Sequence, residues 1–402
     1  MFDTLIIAIA VLGGGYLAFP RRLSGSKNWQ ATVTPLASIM GSGFLVSAPL
    51  LAGIVGNLAV ICMAVLLVLA YCVGYAIRFN IRHFEPIENA GHGPAQATAF
   101  LSRLVLAGAY FISVSYYLQL LAAFLLSSIG IDNPALPNSV TSALLIVIGG
   151  VGIWRGLDEL GRIEKYAVAL NLGMIGALLC ALAIYNVGLL TTGRWALPDI
   201  SSTIDLHDLR VLLGLLIVVQ GFEASRYLGD AFPAEQRIVT MRRAQLLSAA
   251  IYLVFIGLAT VLFNKNLGAD VTAIIAMTKP VAAVLPVLLA IAAIGSQFSA
   301  AVADTEGAGG LIEDITQRKV PTRYAYLLIL LATLALTWET NVNLIIAYAS
   351  RAFACFYMLQ CCVAFLVAWN MQDRQHHSFR LITFASLGLI CGLVFALGLP
   401  SE

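Results

Sequence analysis

Apolar runs of about 17–25 residues recur along the chain, each long enough to cross about 30 Å of hydrocarbon as a helix. Such segments must satisfy their own backbone polar groups, because lipid offers no partners. Sixty per cent of the 402 residues are hydrophobic and 11% are charged, which excludes an ordinary soluble domain. The first run, 2–19, lacks a basic n-region and a small-x-small cleavage site. Arg21 and Arg22 follow it, so it reads as a retained span and not a removed signal peptide. The seven cysteines all fall in apolar runs and read as small buried hydrophobes without a disulfide framework.

Twelve spans are expected, at 2–19, 31–53, 56–79, 98–129, 139–154, 163–186, 208–229, 244–264, 280–304, 323–338, 342–369 and 380–398. Twelve crossings put both termini on one side. Of the 23 Lys and Arg residues, Arg194, Arg210, Lys265 and Lys279 fall in one set of connectors and Arg351 within a span; the other 18 fall in the opposite set. The positive-inside rule turns those 18 toward the cytoplasm and both termini away from it, in a cell (inner) membrane. Trp154, Trp338 and Trp369 sit near span ends, as interfacial anchors do. No connector is long enough for a separate soluble domain, so 1–402 is expected to be one membrane domain.

Two spans carry interruptions. "PLASIMGSGFLVSAPLL" (35–51) places Gly41, Ser42 and Gly43 in the middle of the second, and "VVQGFEASRYLGD" (218–230) places Gly221 at the corresponding depth of the seventh. Glycine costs about 1 kcal/mol against alanine in a helix. Close helix packing accounts equally well for either segment alone. The interruptions, however, open two consecutive five-span blocks, 31–186 and 208–369, and five being odd, the second runs in the opposite sense. Matched breaks in inverted halves point to a transporter's central site. The fold class expected is therefore an all-α membrane protein with about 12 transmembrane helices. It is a five-plus-five inverted repeat with broken first and sixth core helices, plus an extra N-terminal helix (2–19) and a C-terminal one (380–398).

Charges inside the membrane need a reason, since each costs about 2.5–3.5 kcal/mol near a helix centre. Glu223 lies near the midplane, and Arg226, about 4.5 Å further along, shares its helical face. Arg351 is placed at a comparable depth on the tenth core helix. Two readings stand: an internal Glu–Arg pair, or a gate or proton-linked carboxylate whose pairing changes between states. On the eighth core helix, in "IGSQFSAAVADTEGAGGLIED" (294–314), Gln297 and Asp304 share one face. Ser299 and Glu306 share another, about 200° away, so both pairs are not expected in one cavity.

Three segments resemble the amino acid–polyamine–organocation (APC) transporters, which share the leucine-transporter-like fold. "GSGFLVSAP" (41–49) is similar to their G-S-G-I-F segment. "GFEASRYLGDAFPAEQRIVTMRRAQLLSA" (221–249) is similar to their G-F-E segment and the basic loop after it. "GLDELGRIEKYAVALN" (156–171) is similar to their G-x-x-E segment. The resemblance implies that the amides of Ser42 and Gly43, beside Gly41, bind a carboxylate. Carbonyls around Gln220 and Gly221, next to Phe222, would take an amine. It also implies a tyrosine on the third core helix, here Tyr117, reaching the substrate. In sodium-coupled relatives a candidate ion site would use the carbonyls of Ser38, Ile39 and Met40 with Ser299. The lysine of proton-coupled members falls on Asn171, which supplies no cation, and an extra leading helix is more typical of sodium/solute symporters.

The five histidines lie in connectors, no ligand set has metal spacing, and neither a P-loop nor a Ser/His/Asp arrangement stands out. The expectation is a non-enzyme without a cofactor, using sodium or a proton as coupling ion, as a symporter or antiporter. Its partners would be a small-molecule substrate and the lipid bilayer, with no nucleic acid and no obligatory protein partner. The function expected is secondary transport of an amino acid or related amine, with Glu223, Arg226, Arg351, Asn171 and Asp304 in gating or coupling. The alternatives are a sodium/solute-symporter-like carrier of another solute, or a non-transporting receptor keeping the fold.

Overall fold

The computed structural model describes residues 2–18, 26–131, 136–200, 203–229, 231–264, 267, 270–371 and 377–401, with the backbone path alone for Ser42 and 158–165. Arg21, Arg22 and Lys265 lie outside the described residues. Among those described, the regular elements are all helical: α1 (Phe2–Ala18), α2 (Lys27–Val55), α3 (Ala59–His83), α4 (Pro94–Ser128), α5 (Leu136–Arg155), α6 (Asp158–Thr191) and α7 (Leu206–Leu213), then α8 (Ala234–Ala259), α9 (Ala273–Thr278), α10 (Leu285–Ile315), α11 (Thr322–Glu339), α12 (Val342–Asn370) and α13 (His377–Leu397). Each of the twelve expected spans overlaps a helical segment. Eight described stretches are long and apolar enough to cross a membrane, one of them 27–83, which holds α2 and α3.

Local chemistry sets the helix ends. Ser26 caps α2 by accepting from the Trp29 amide, and Asn341 caps α12 by accepting from Leu344. Asp205 and Asp208 cap each other's amides at the start of α7. Proline occupies the first turn of α4, where no amide partner is lost.

α3 packs on α8, α4 on α10 and α5 on α11; α4 against α12 is matched by α10 against α6, and α4 against α5 by α10 against α11. Exchanging 31–186 with 208–369 element by element maps these pairings onto themselves. The interrupted segments lie in the middle, against α3, α8 and each other. Outside this set, α13 lies on α12 and α1 lies on α6. Gly14 of α1 meets α6 so closely that a Cβ on Gly173 would stand 2.7 Å from the Ala10 carbonyl oxygen, the small-residue contact by which membrane helices approach. Exposed side chains such as Val65, Val68 and Leu389 form the apolar outer surface.

Candidate functional site

At Gly43 the backbone of α2 leaves helical geometry (φ −177°, ψ 16°). The second interruption is longer than its sequence suggested. α7 ends at Leu213, and short 3-10 turns cover Leu216–Val219 and Phe222–Tyr227, with Gln220 extended and Gly221 at φ 113° between them. Side chains take up the freed backbone groups. Ser350 accepts from the Ile217 amide at 2.9 Å, and the Gln297 side chain donates to the Gly41 carbonyl at 3.0 Å. The Tyr252 hydroxyl lies between the carbonyls of Ile39 (3.2 Å) and Val218, joining both interrupted segments. Glu223, 1% exposed, accepts from the Gly221 amide at 3.0 Å and the Tyr357 hydroxyl at 2.7 Å.

The two segments touch at their glycines. A Cβ on Gly43 would stand 2.7 Å from the Val218 Cα, and one on Gly221 would stand 2.7 Å from the Ser38 carbonyl carbon. Gly221 is further confined to glycine by its positive φ.

A cavity of about 370 Å³ lies beside this crossing, lined among others by Ser38, Asn171, Glu223, Ser296, Ser299 and Asp304. It reaches toward the end of the bundle where Thr34, Tyr227 and Glu306 also line it. Asn171 donates to the Ser296 hydroxyl at 3.3 Å, and Ser113 donates to Asp304. Glu223, Asp304 and Glu306 are its acidic groups, and no Lys, Arg or His is among its described lining residues. Chemically, such a cavity suits a solute carrying positive charge and hydrogen-bond donors.

A second space of about 650 Å³ shares Tyr110, Tyr227 and Gly307 with the first. Ion pairs line it: Arg103–Asp314 at 2.6 Å and Arg226–Glu88 at 3.7 Å. Arg237 clamps Glu85 through two bonds, 3.0 and 2.6 Å, and donates to the Arg226 carbonyl. Arg226 also donates to Gln360, whose own amide donates to Ser102.

A family model described as an APC superfamily transporter matches residues 21–398. The chain belongs to the APC superfamily. An uncharacterized protein of Aquifex aeolicus (strain VF5) is 44% identical over 359 residues, 88% of this chain and 87% of that relative. The crystal structure of a histidine-to-alanine mutant of the Eremococcus coleocola manganese transporter matches with a TM-score of 0.58 at 12% identity. The match covers 93% of this chain and 88% of that one, a likeness of fold.

In this APC transporter the residues named from sequence separate into groups. Glu223, Asn171, Asp304, Ser38 and Ser299 line the cavity; Gly41, Gly43, Tyr117, Gln220, Gly221 and Phe222 do not. Those six form the crossing beside it or its surroundings: Gln220 donates to the Tyr117 hydroxyl at 3.0 Å, and Phe222 stacks on Tyr357. The side chain of Ser42 lies outside the described residues. Met40 is buried in the core, and the Ile39 carbonyl is engaged by Tyr252. The tyrosine of α4 that lines the cavity is Tyr110, two turns from Tyr117 on the same face.

One of the two open readings falls, the depth expected of Arg351 is corrected, and the separation expected of the α10 pairs holds only for Gln297. Glu223 pairs with neither Arg226 nor Arg351: it folds back onto the amide freed at Gly221, while Arg226 reaches Gln360 and Glu88. Arg351 donates to the Phe395 carbonyl at 2.7 Å, because α12 meets Glu223 at Tyr357, six residues or about 9 Å further along. Members of both polar pairs of α10 also share one cavity. Ser296, Ser299, Ala300, Ala303 and Gly307 form its central stripe, flanked by Asp304 and Glu306 across an arc of about 160°, while Gln297 turns to Gly41.

Sequence reasoning missed Tyr252, Tyr357 and Gln360. Tyr252 is a lone polar residue in its apolar run and Tyr357 and Gln360 share another, and only the position of a freed backbone group or an opposing side chain distinguishes them from packing.

Proposed function

We propose that the protein is a secondary carrier for a small organic solute bearing an amine, an amino acid or related amine, moved by alternating access. One observation carries this: a cavity beside two interrupted helices holds three carboxylates and no described cation. Its volume of about 370 Å³ falls in the range of about 300–1,000 Å³ usual for small-molecule sites. Glu223 and Asp304 bind the ammonium, while Ser38, Ser296 and Asn171 orient the remaining polar atoms. The two blocks act as inverted repeats, a reading supported by the matched pairings of their helices. The cavity then opens to the cytoplasm, and both termini lie on the other face of the inner membrane. The coupling ion is sodium or a proton, and the proton is favoured by the ionisable groups in the cavity and by the engagement of the Ile39 carbonyl.

The test is counterflow of labelled amino acids and amines in liposomes containing the purified protein, across pH and with or without sodium. The wild type accumulates a labelled amine, and Glu223→Gln keeps its fold while its KM rises about ten-fold. That is the difference between a charge-assisted and a neutral hydrogen bond, about 1.4 kcal/mol. Binding without flux would make the protein a receptor, and fast uncoupled current would make it a channel. Preferential transport of an anionic solute would remove the electrostatic reading.

A further inference from the structure

Away from the central cavity, a separate concavity of about 580 Å³ lies between α3, α8 and the start of α13. Arg78, Arg82, Arg242, Arg243, Arg380 and His83 line it, and no described carboxylate does. Guanidinium groups gathered at the edge of a low-dielectric bundle repel one another, so the arrangement calls for an anion. One of them is built in. Arg78 is 7% exposed, is held by the side chain of Gln245 and the Tyr71 carbonyl (3.3 Å), and lies over the Tyr71 ring at 4.9 Å. Gln245 is itself fixed by its bond to the Ala70 carbonyl at 2.8 Å. Arg82 has a counter-charge in Glu235, at 2.7 Å. Arg242 and Arg243 are exposed, and among the described residues no carboxylate pairs with either.

The surroundings specify which kind of anion. Ile238, Val239 and Leu246 line the same concavity. Beyond Arg243, exposed apolar side chains continue along α8 from Leu246 (50%) and Leu247 (42%) to Val254 (49%). From Arg242 to Val254 is about 18 Å along the helix, running away from the charged cluster. A charged recess with an apolar strip leading from it has the polarity of a phospholipid, phosphate at one end and acyl chain along the other. A soluble anion would use the recess but not the strip.

We propose that this recess is a binding site for an anionic phospholipid, with Arg78, Arg242 and Arg243 on the headgroup phosphate and the acyl chain along Leu246, Leu247 and Val254. The site is independent of the solute carried and holds lipid at the joint between the central helices and α13.

The test is native mass spectrometry of the full chain in detergent, titrated with phosphatidylglycerol, with phosphatidylethanolamine, or with glycerol 3-phosphate. The expected result is retained phosphatidylglycerol, with neither of the others bound at equal concentration. The double variant R242Q/R243Q, which touches nothing in the central cavity, should bind phosphatidylglycerol about thirty-fold more weakly, as expected for two basic groups at a lipid surface. A control variant, R155Q/R323Q, loses the same charge elsewhere and should bind as the wild type does. Equal losses in both variants would mean diffuse surface charge and overturn the site. Glycerol 3-phosphate binding as tightly as the lipid would overturn the assignment to lipid, and unchanged binding in R242Q/R243Q would overturn the residues.

Discussion

Gly221→Ala isolates the contact between the two interrupted segments. The substitution acts twice. At φ 113° an L side chain is disfavoured by about 1–2 kcal/mol. Its Cβ would also stand 2.7 Å from the Ser38 carbonyl carbon and 2.8 Å from the Ile39 amide nitrogen, backbone atoms that cannot rotate away. Overpacking of this kind costs about 1–3 kcal/mol, so the closed crossing should lose about 2–5 kcal/mol in all. Gly257→Ala is the matched control, because that glycine lies within α8 with nothing within 4 Å of its added Cβ. It should be neutral or stabilise by up to about 1 kcal/mol, through helix propensity alone. Reversible unfolding in mixed detergent micelles measures both. Hydrogen exchange over 36–43 and 216–224 shows whether the loss is local. If Gly221→Ala stays within about 0.5 kcal/mol of the wild type and exchange is unchanged, the segments do not touch as described and the reasoning fails.

Removing the Tyr252 hydroxyl in Tyr252→Phe takes a donor from two buried carbonyls. It should cost about 1 kcal/mol, at most about 2, by the same unfolding assay, with faster exchange on both interrupted segments. Asn171→Lys sets an ammonium in a cavity lined by Glu223 and Asp304, and liposome uptake of an amine should fall more than about ten-fold, the effect of about 1.4 kcal/mol. Arg351→Gln removes a charge bonded to the Phe395 carbonyl, away from the cavity. It should leave KM within about two-fold, a change of about 0.4 kcal/mol.

What could be read from sequence was whatever one segment carries by itself. Apolar length marks a span, and Gly41, Gly43 and Gly221 inside apolar runs mark interruptions, because a freed backbone needs no distant partner to be recognised. Charges inside apolar runs brought Glu223 and Asp304 to notice, and the family resemblance brought Ser38, Asn171 and Ser299; all five line one cavity. The pairings were not legible. Glu223 and Arg226 share a helical face on paper, yet the carboxylate bonds to the Gly221 amide, which is free because the helical turns break off at Val219. Tyr357, Gln360 and Tyr252 become polar partners only when α12 and α8 have taken their rotation against the breaks. The arc of α10 was misjudged for the same reason: how much of a helix faces a hollow depends on the width of the hollow, and its own residues do not reveal that.

The glycine contacts make a fulcrum. Val218 bears on Gly43 and Ser38 bears on Gly221, so each segment rests on the other at a glycine that offers no side chain of its own. Twelve residues separate Gly43 from Ala31, a lever about 18 Å long, and a tilt of about 10° would swing its far end by about 3 Å. A displacement of that size matches the width of a water molecule, while Ser38, about 7.5 Å from Gly43, would move by only about 1.3 Å.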